Sequence, residues 1–396
     1  MNLLLTGARA PVTLALARAF DRAGHRVSVA DSFTPHLCQS SNAVWASLEL
    51  PAPRWHPDAF FSRLENKVLS ERFDWVIPTC EEVFYIARGA EHSPLRAHFL
   101  VDRLETLSTL HHKGKFIALC QALNLNAPET HTLESKAALD TFRSRESGKW
   151  IFKPAYSRFA TQTHEWSAPE EAFPVLDPQS LPWVAQRFLE GREFCTYSVV
   201  RAGRVRAHVA YRPLYRAGRG AGVYLESLRH RAALEFVERL AAQLEFSGQM
   251  AFDFIENPAG LWPLECNPRA VSGAALLCGL ETAEDGLARA WLEEDPREDA
   301  SLLEAPAGIR ATFALPTLLY GLGQAPPLRL LSDLLRARDL VWDARDPAPF
   351  LHQLACLWAM QRRGRQLGMS ALEASTWDIA WNGPARTVEQ TVKGRT

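Results

Sequence analysis

Leu264-Glu265-Cys266-Asn267-Pro268-Arg269-Ala270-Val271-Ser272-Gly273 is the stretch on which the fold turns. Residues 261–267 read as a strand, joined by the turn Asn257-Pro258-Ala259-Gly260 to an earlier strand over residues 250–255. Side chains alternate along a strand, so Glu265 and Asn267 share a face. In the earlier strand Phe252 and Phe254 take one side and Asp253 the other. Asp253 joins Glu265 if the connection holds an odd number of residues. Two carboxylates and an amide oxygen on one face make a hard-oxygen cluster suited to Mg²⁺, with phosphate and water oxygens completing an octahedron. A solvated hairpin face is the plainer reading of the same residues.

Outward from this hairpin the pattern is α+β. Residues 113–123 read as a helix, 150–154 and 183–189 as strands, 194–200 and 204–212 as a hairpin around Ala202-Gly203, and 229–244 as an amphipathic helix. The start of the chain differs. Residues 2–6, 26–30 and 74–78 are apolar strands, and helices are expected over 11–23 and 57–69, which implies a parallel sheet. Asp31 lies where a ribose-binding acid would follow a dinucleotide turn. The turn itself, Thr6-Gly7-Ala8-Arg9-Ala10-Pro11, has one glycine instead of G-x-G-x-x-G, so a nicotinamide site is rejected. Past Pro306 a helix is expected over 350–367 and a closing strand or turn over 376–382.

A chain of 396 residues implies two or three domains. Its 47% hydrophobic and 22% charged residues suit globular cores, and a net charge of −1 favours neither nucleic acid nor an anionic membrane. No apolar run reaches the roughly 20 residues of a bilayer span, and a cytoplasmic protein is expected. The seven cysteines (38, 80, 120, 195, 266, 278, 356) are scattered and never spaced C-x-x-C, which argues for core residues over zinc or disulfides.

Other segments carry chemistry in the same order along the chain: HKGKF at 112–116, FKPAYSRFA at 152–160, QRFLEGREF at 186–194, AFDF at 251–254 and LECNPR at 264–269. Together they resemble the ATP-grasp superfamily, in particular carboxylate–amine ligases and proteins like the carbamoyl-phosphate synthetase large subunit. The resemblance covers about residues 110–280. It implies a Rossmann-like pre-ATP-grasp α/β domain over 1–108, a small ATP-grasp lobe with its linker helix over 109–185, a large lobe with the metal site over 186–300, and a mainly helical segment over 301–396.

By that resemblance Asp253, Glu265 and Asn267 hold one or two Mg²⁺ ions, Mn²⁺ being an alternative. Lys113 and Lys153 neutralise ATP phosphates. Gln186, Arg187, Phe188 and Leu189 read adenine, and Glu193 accepts the ribose hydroxyls. Arg269 clamps a substrate carboxylate or acyl-phosphate, and Arg212, Arg216 and Ser272 are further substrate contacts. Glu81 or Glu82 binds a substrate ammonium, with Cys80 lining the pocket; acids opening a helix are the alternative there. Two departures stand out. His112 replaces an Asp, and the glycine-rich phosphate flap is replaced by residues 155–161, where Ser157 and Arg158 are candidate substitutes. The glycine-rich, basic segment 216–222 reads as a lid or a plain hairpin loop. The implied activity is ATP-dependent activation of a small carboxylate as an acyl-phosphate for attack by an amine, in a protein that acts alone or as a homodimer. Activation of a hydroxyl or enolic oxygen, and a non-catalytic nucleotide-binding regulator, are the alternatives.

Overall fold

In the computed structural model the described residues are 1–158, 162–168, 170–218, 220–278, 280, 284–292 and 302–383. The apolar runs at the start become β1 (Asn2–Thr6), β2 (Arg26–Asp31), β3 (Ala46–Glu49) and β4 (Trp75–Ile77), a four-stranded parallel sheet in the order β3-β2-β1-β4. Helices α1 (Pro11–Arg22), α2 (Pro57–Glu71) and α3 (Glu82–Ala90) follow β1, β3 and β4. Both faces of a parallel sheet are covered, which is why Leu3, Leu4 and Leu5 are all fully buried without alternating. The one glycine of the first turn, Gly7, sits at φ +75°, and a Cβ there would lie 2.6 Å from Thr79 Oγ1. Asp31 spends its carboxylate on the Arg9 guanidinium (2.5 Å) and on the N–H groups of Arg9 and Phe33. The position that a dinucleotide ribose would need is filled from within.

Helices α4 (Leu104–His111) and α5 (Lys113–Ala122) lead to an antiparallel sheet of β5 (Thr130–Leu133), β6 (Gly148–Pro154), β7 (His164–Ala168) and β8 (Trp183–Arg187), in the order β5-β8-β6-β7. Its core is aromatic: Phe142 of α6 (Lys136–Arg145) meets Trp150 and Phe152 edge-on. The boundary expected between residues 185 and 186 falls inside β8, because strand pairing continues to Arg187.

The remaining strands are β9 (Arg192–Arg201), β10 (Arg204–Ala217), β11 (Ala221–Leu228), β12 (Gly248–Asn257), β13 (Gly260–Asn267), β14 (Leu303–Glu304), β15 (Arg310–Thr312) and β16 (Arg338–Asp339). They form an eight-stranded sheet in the order β13-β12-β9-β10-β11-β15-β16, with β14 beside β10. Phe236 of α7 (Arg231–Leu244) and Phe116 of α5 close over Phe252, which fixes one face of β12 as core and turns Asp253 to the other.

After α8 (Glu284–Leu292), the carboxy-terminal part is helical in α9 (Ala314–Gly321), α10 (Pro327–Arg336), α11 (Ala348–Leu367) and α12 (Ala371–Ala374). The expectation of a mainly helical segment needs one correction: β14, β15 and β16 extend the central sheet, and strands of two or three residues carry no periodicity to read. Residues 376–379 form turns, and those from 384 onward lie outside the described residues. Helices α10 and α11 leave two apolar stripes exposed, Leu328, Leu331 and Leu335 on one and Leu351, Leu354 and Trp358 on the other. Among the described residues no helix is long and apolar enough to cross a membrane.

Candidate active site

Asp253 and Glu265 are direct cross-strand partners in the β12–β13 pair. The connection is an even turn, with Asn257 paired to Gly260, so the turn itself does not meet the odd-number condition. A bulge supplies the odd residue instead. Phe254 pairs with Pro263 but Asp253 with Glu265, so Leu264 is the extra residue that rotates the carboxylates onto one face. Across the next strands the row continues through Cys195 and Tyr211, each the direct partner of the one before.

β13 is the edge strand, so the first turn of α5 can reach over it. Lys113 Nζ lies 3.3 Å from Glu265 Oε2 and 3.2 Å from the Ser157 carbonyl. His112, where an Asp was expected, caps α5 as an Asp would: its Nδ1 accepts the Lys115 N–H at 3.2 Å. Lys153, near the end of β6, is only 9% exposed. Burial pushes its amine down to about 8, against the pull of Glu265 and with a push from Lys113. Burial and the neighbouring Glu265 push the Asp253 carboxyl up. Glu265 goes the other way: burial alone would raise it, but Lys113 and Lys153 hold it down. Two carboxylates and two ammonium groups therefore converge from two sheets and the start of one helix.

Asn267 donates to Glu265 Oε1 at 3.4 Å and accepts from Arg269 Nη2 at 3.2 Å, while Arg269 Nη1 donates to the Ala270 carbonyl. Arg269 Nε is buried with no partner among the described residues. Ser272 opens a single 3₁₀ turn, Ser272–Leu276, and a Cβ on Gly273 would strike the Tyr211 ring at 2.1 Å. The turn thus lies directly on the row that carries Asp253.

Arg216 reaches the cluster from the β10–β11 hairpin: it pairs with Glu193 at 2.8 Å and its charge acts on Asp253. Segment 216–222 is a paired hairpin, Ala217 facing Ala221, and Gln324 ties it down through the Arg216 N–H and carbonyl. Arg219 lies outside the described residues. Arg212 is not brought to the cluster. It follows Tyr211 on the strand, so it faces the opposite way, where Glu226 holds it at 2.5 Å.

Gln186 is buried, and its amide donates to Thr130 Oγ1 at 3.3 Å. The backbone N–H groups expected to read adenine are partly spent: Arg187 N–H goes to the Glu129 carbonyl and Phe188 N–H to that of Lys149. The Arg187 side chain stacks on Trp150 and pairs with Glu129. Glu193 is the most open of these residues, with 61% of its side chain exposed.

The acids after β4 do not present themselves to solvent. Glu82 accepts from Thr6 Oγ1 and from the N–H groups of Thr79 and Cys80, tying β1 to β4, which accords with the reading as acids opening a helix. Burial pushes the Cys80 thiol up, with Glu82 adding to it. Glu81 pairs with Arg158 and accepts the Trp381 N–H at 3.0 Å. Of the candidate phosphate contacts, Arg158 is thus turned to Glu81, while the Ser157 carbonyl accepts from Lys113. Residues 159–161 of that segment lie outside the described residues.

Burial alone would raise the Glu81 carboxyl, but the Arg158 guanidinium foremost, with His111 and then Arg269 behind it, holds it at about 2, below its ordinary 4.5. A carboxyl depressed in the folded state lends stability that is present above its unfolded pKa and is lost as the pH falls through the folded one. In denaturant titrations the Glu81→Gln variant is therefore expected to lose on the order of 2–3 kcal/mol near neutral pH, a deficit that vanishes as the pH is lowered from 4.5 toward about 2. An equal deficit at both ends would contradict the pairing.

Among the described residues there is no group of three or more His, Cys, Asp or Glu able to hold a metal. A cation at Asp253 and Glu265 would draw further oxygens from Asn267 and from phosphate. The donors fit one: Asp253 and Glu265 are hard carboxylate oxygens paired directly across the strands, with the Asn267 amide beside Glu265.

Comparison with known proteins bears on the fold. No family model matches the sequence, and no curated protein matches it. Solved structures do. An L-amino acid ligase from Bacillus licheniformis superposes with a TM-score of 0.56 at 15% identity, over 76% of each chain. N5-carboxyaminoimidazole ribonucleotide synthetase from Thermus thermophilus gives 0.58 at 16%, over 78% of this chain and 81% of that one. The fold is ATP-grasp. The biotin carboxylase domain of Hydrogenobacter thermophilus 2-oxoglutarate carboxylase, solved as a dimer with MgADP, ADP and bicarbonate, gives 0.55 at 11% over 75% and 71%. At these identities the likeness carries the ATP-grasp fold, and the chemistry of this chain rests on the residues described above.

Proposed function

We propose that this ATP-grasp protein is an ATP-dependent ligase that activates a small carboxylate as an acyl-phosphate and passes the acyl group to an amine, releasing ADP and phosphate. The observation that supports it most is the convergence of Lys113 and Lys153 on the Asp253–Glu265 pair, which is a place for a polyphosphate with its cation. The β5-β8-β6-β7 sheet is read as the small lobe and the eight-stranded sheet as the large lobe. Nucleotide would lie between them, with adenine at residues 186–189 and ribose at Glu193.

Asp253, Glu265 and Asn267 would hold Mg²⁺, which when bound supplies charge neutralisation at the phosphate oxygens. The chain's own residues do the rest. Lys113 and Lys153 fix the phosphates and balance charge that moves toward the leaving oxygen. Arg269, with its unpaired Nε, orients the acid so that a carboxylate oxygen attacks the γ-phosphorus while the bond to the β-phosphate oxygen breaks, leaving ADP. The amine nitrogen then attacks the acyl carbon, phosphate leaves, and one proton is released. Arg216, already at the edge of the cluster, is suited to excluding water from the acyl-phosphate.

Titration calorimetry with the non-hydrolysable analogue AMP-PNP tests the nucleotide half of this reading. Binding is expected with Mg²⁺ present and to weaken at least tenfold when EDTA removes it. Equal affinity in both conditions would remove the metal from the site, and no binding in either would remove the nucleotide.

A further inference from the structure

Glu81 is a buried carboxylate whose partners come from three distant parts of the chain. Arg158 Nε donates to its Oε1 at 2.5 Å, Trp381 N–H donates to its Oε2 at 3.0 Å, and Arg269 Nη2 stands 3.7 Å from Oε1. The rest of the Arg158 guanidinium is spent on the carboxy-terminal strap, on the Trp381 carbonyl at 2.7 Å and the Asn382 amide oxygen at 3.2 Å. The strap is itself anchored to the amino-terminal sheet. Asp378 is paired with Arg9 at 2.7 Å, Tyr85 donates to the Ala380 carbonyl at 2.7 Å, and the Trp381 ring stacks on Phe84.

On its other side the same carboxylate leads into the metal strand. Arg269 donates to Asn267, and Asn267 donates to Glu265. One guanidinium on the segment after Lys153 therefore joins the strap, the start of α3 and the Asp253–Glu265 cluster. That segment has no glycine to make it supple, and its Ser157 carbonyl already receives Lys113.

We propose that the Arg158–Glu81 latch, closed by residues 376–383, holds segment 155–158 preset against the phosphate side of the site, and that Glu81 is a positioning residue for Arg269 instead of a ligand for substrate ammonium. The latch does by fixed charge what a mobile flap does by closing. Its role toward phosphate rests on the nucleotide reading given above.

The test is amide hydrogen exchange on the full-length protein without nucleotide, paired with Mg-AMP-PNP titrations. Arg158→Gln and Glu81→Gln are each expected to speed exchange of residues 155–158 about tenfold or more, with β6 unaffected. The double variant is expected to go no further than either single one, because both remove the same pair. Arg158→Lys restores part of the protection, since an ammonium pairs with Glu81 but cannot also span Trp381 and Asn382. The exposed Asn382→Ala substitution gives a smaller acceleration in a variant whose core is untouched. Mg-AMP-PNP affinity is expected to fall about tenfold in the same order. Unchanged exchange at 155–158, or effects of the two single variants that simply add, would overturn the proposal. Failure of the wild-type protein to bind Mg-AMP-PNP would overturn the role toward phosphate along with the nucleotide reading, while the exchange data still report the latch by themselves.

Discussion

Glu265→Gln is expected to lower ADP formation by about 10³-fold or more while leaving the fold intact. The substitution keeps the side chain's shape and removes its charge. Glu265 is the carboxylate that Lys113 approaches at 3.3 Å and that the two lysines hold well ionised, so it carries the negative charge of the pair. Without it Asp253 stands alone, and Asp253 is the partner whose carboxyl burial already pushes toward protonation. A divalent ion then loses most of its charge pairing with protein, and two ammonium groups face each other with less between them. Metal affinity should fall in parallel, so raising Mg²⁺ should recover part of the rate. Turnover within tenfold of the wild type, at matched thermal stability, would remove Glu265 from the reaction.

The second large effect runs in opposite directions for function and stability. Lys153→Met is expected to weaken Mg-AMP-PNP binding by about 10²-fold or more and at the same time to raise the melting temperature of the nucleotide-free protein. Burial holds the Lys153 amine at about 8 in the folded protein against 10.5 when free. A cation whose folded pKa is depressed costs stability wherever it is charged in both states. The cost is full below about 8 and is relieved as the pH rises toward 10.5, and its size is on the order of 3 kcal/mol. Methionine has a similar stem and no charge to desolvate. The wild-type melting temperature should therefore gain on that of the variant between pH 8 and 10.5. A variant less stable than wild type near neutral pH would mean that Lys153 is held by its carboxylate neighbours more strongly than burial opposes it.

Part of the site was legible from a local rule: Glu265 and Asn267 are two apart on a strand and must share a face. Lys113 and Lys153, at the start of a helix and near the end of a strand, were placed there by the resemblance, since a lone lysine in either position carries no signal of its own. The bulge at Leu264 was not legible, since an extra residue in a strand leaves no compositional mark, and it alone decides that Asp253 faces Glu265. Arg212 was named as a substrate contact, though alternation from Tyr211 sends it to Glu226 on the far face. The Glu81 cluster lies beyond any pattern of neighbours: its partners are 77 and 300 residues away. Two acids opening a helix look alike in sequence. Only the fold makes Glu82 a tie between β1 and β4 and Glu81 the meeting point of Arg158, Arg269 and the strap. The two- and three-residue strands after residue 302 were hidden for the same reason, because the sheet that calls them into being is built from distant chain.

The most direct measurement is a product screen by mass spectrometry. The purified protein is given Mg-ATP with mixed amino acids and small carboxylic acids, and the Glu265→Gln variant is run beside it. ADP and phosphate, formed only with a particular acid and amine and accompanied by their condensed product, are the expected result. AMP and pyrophosphate in their place would contradict acyl-phosphate chemistry at this site.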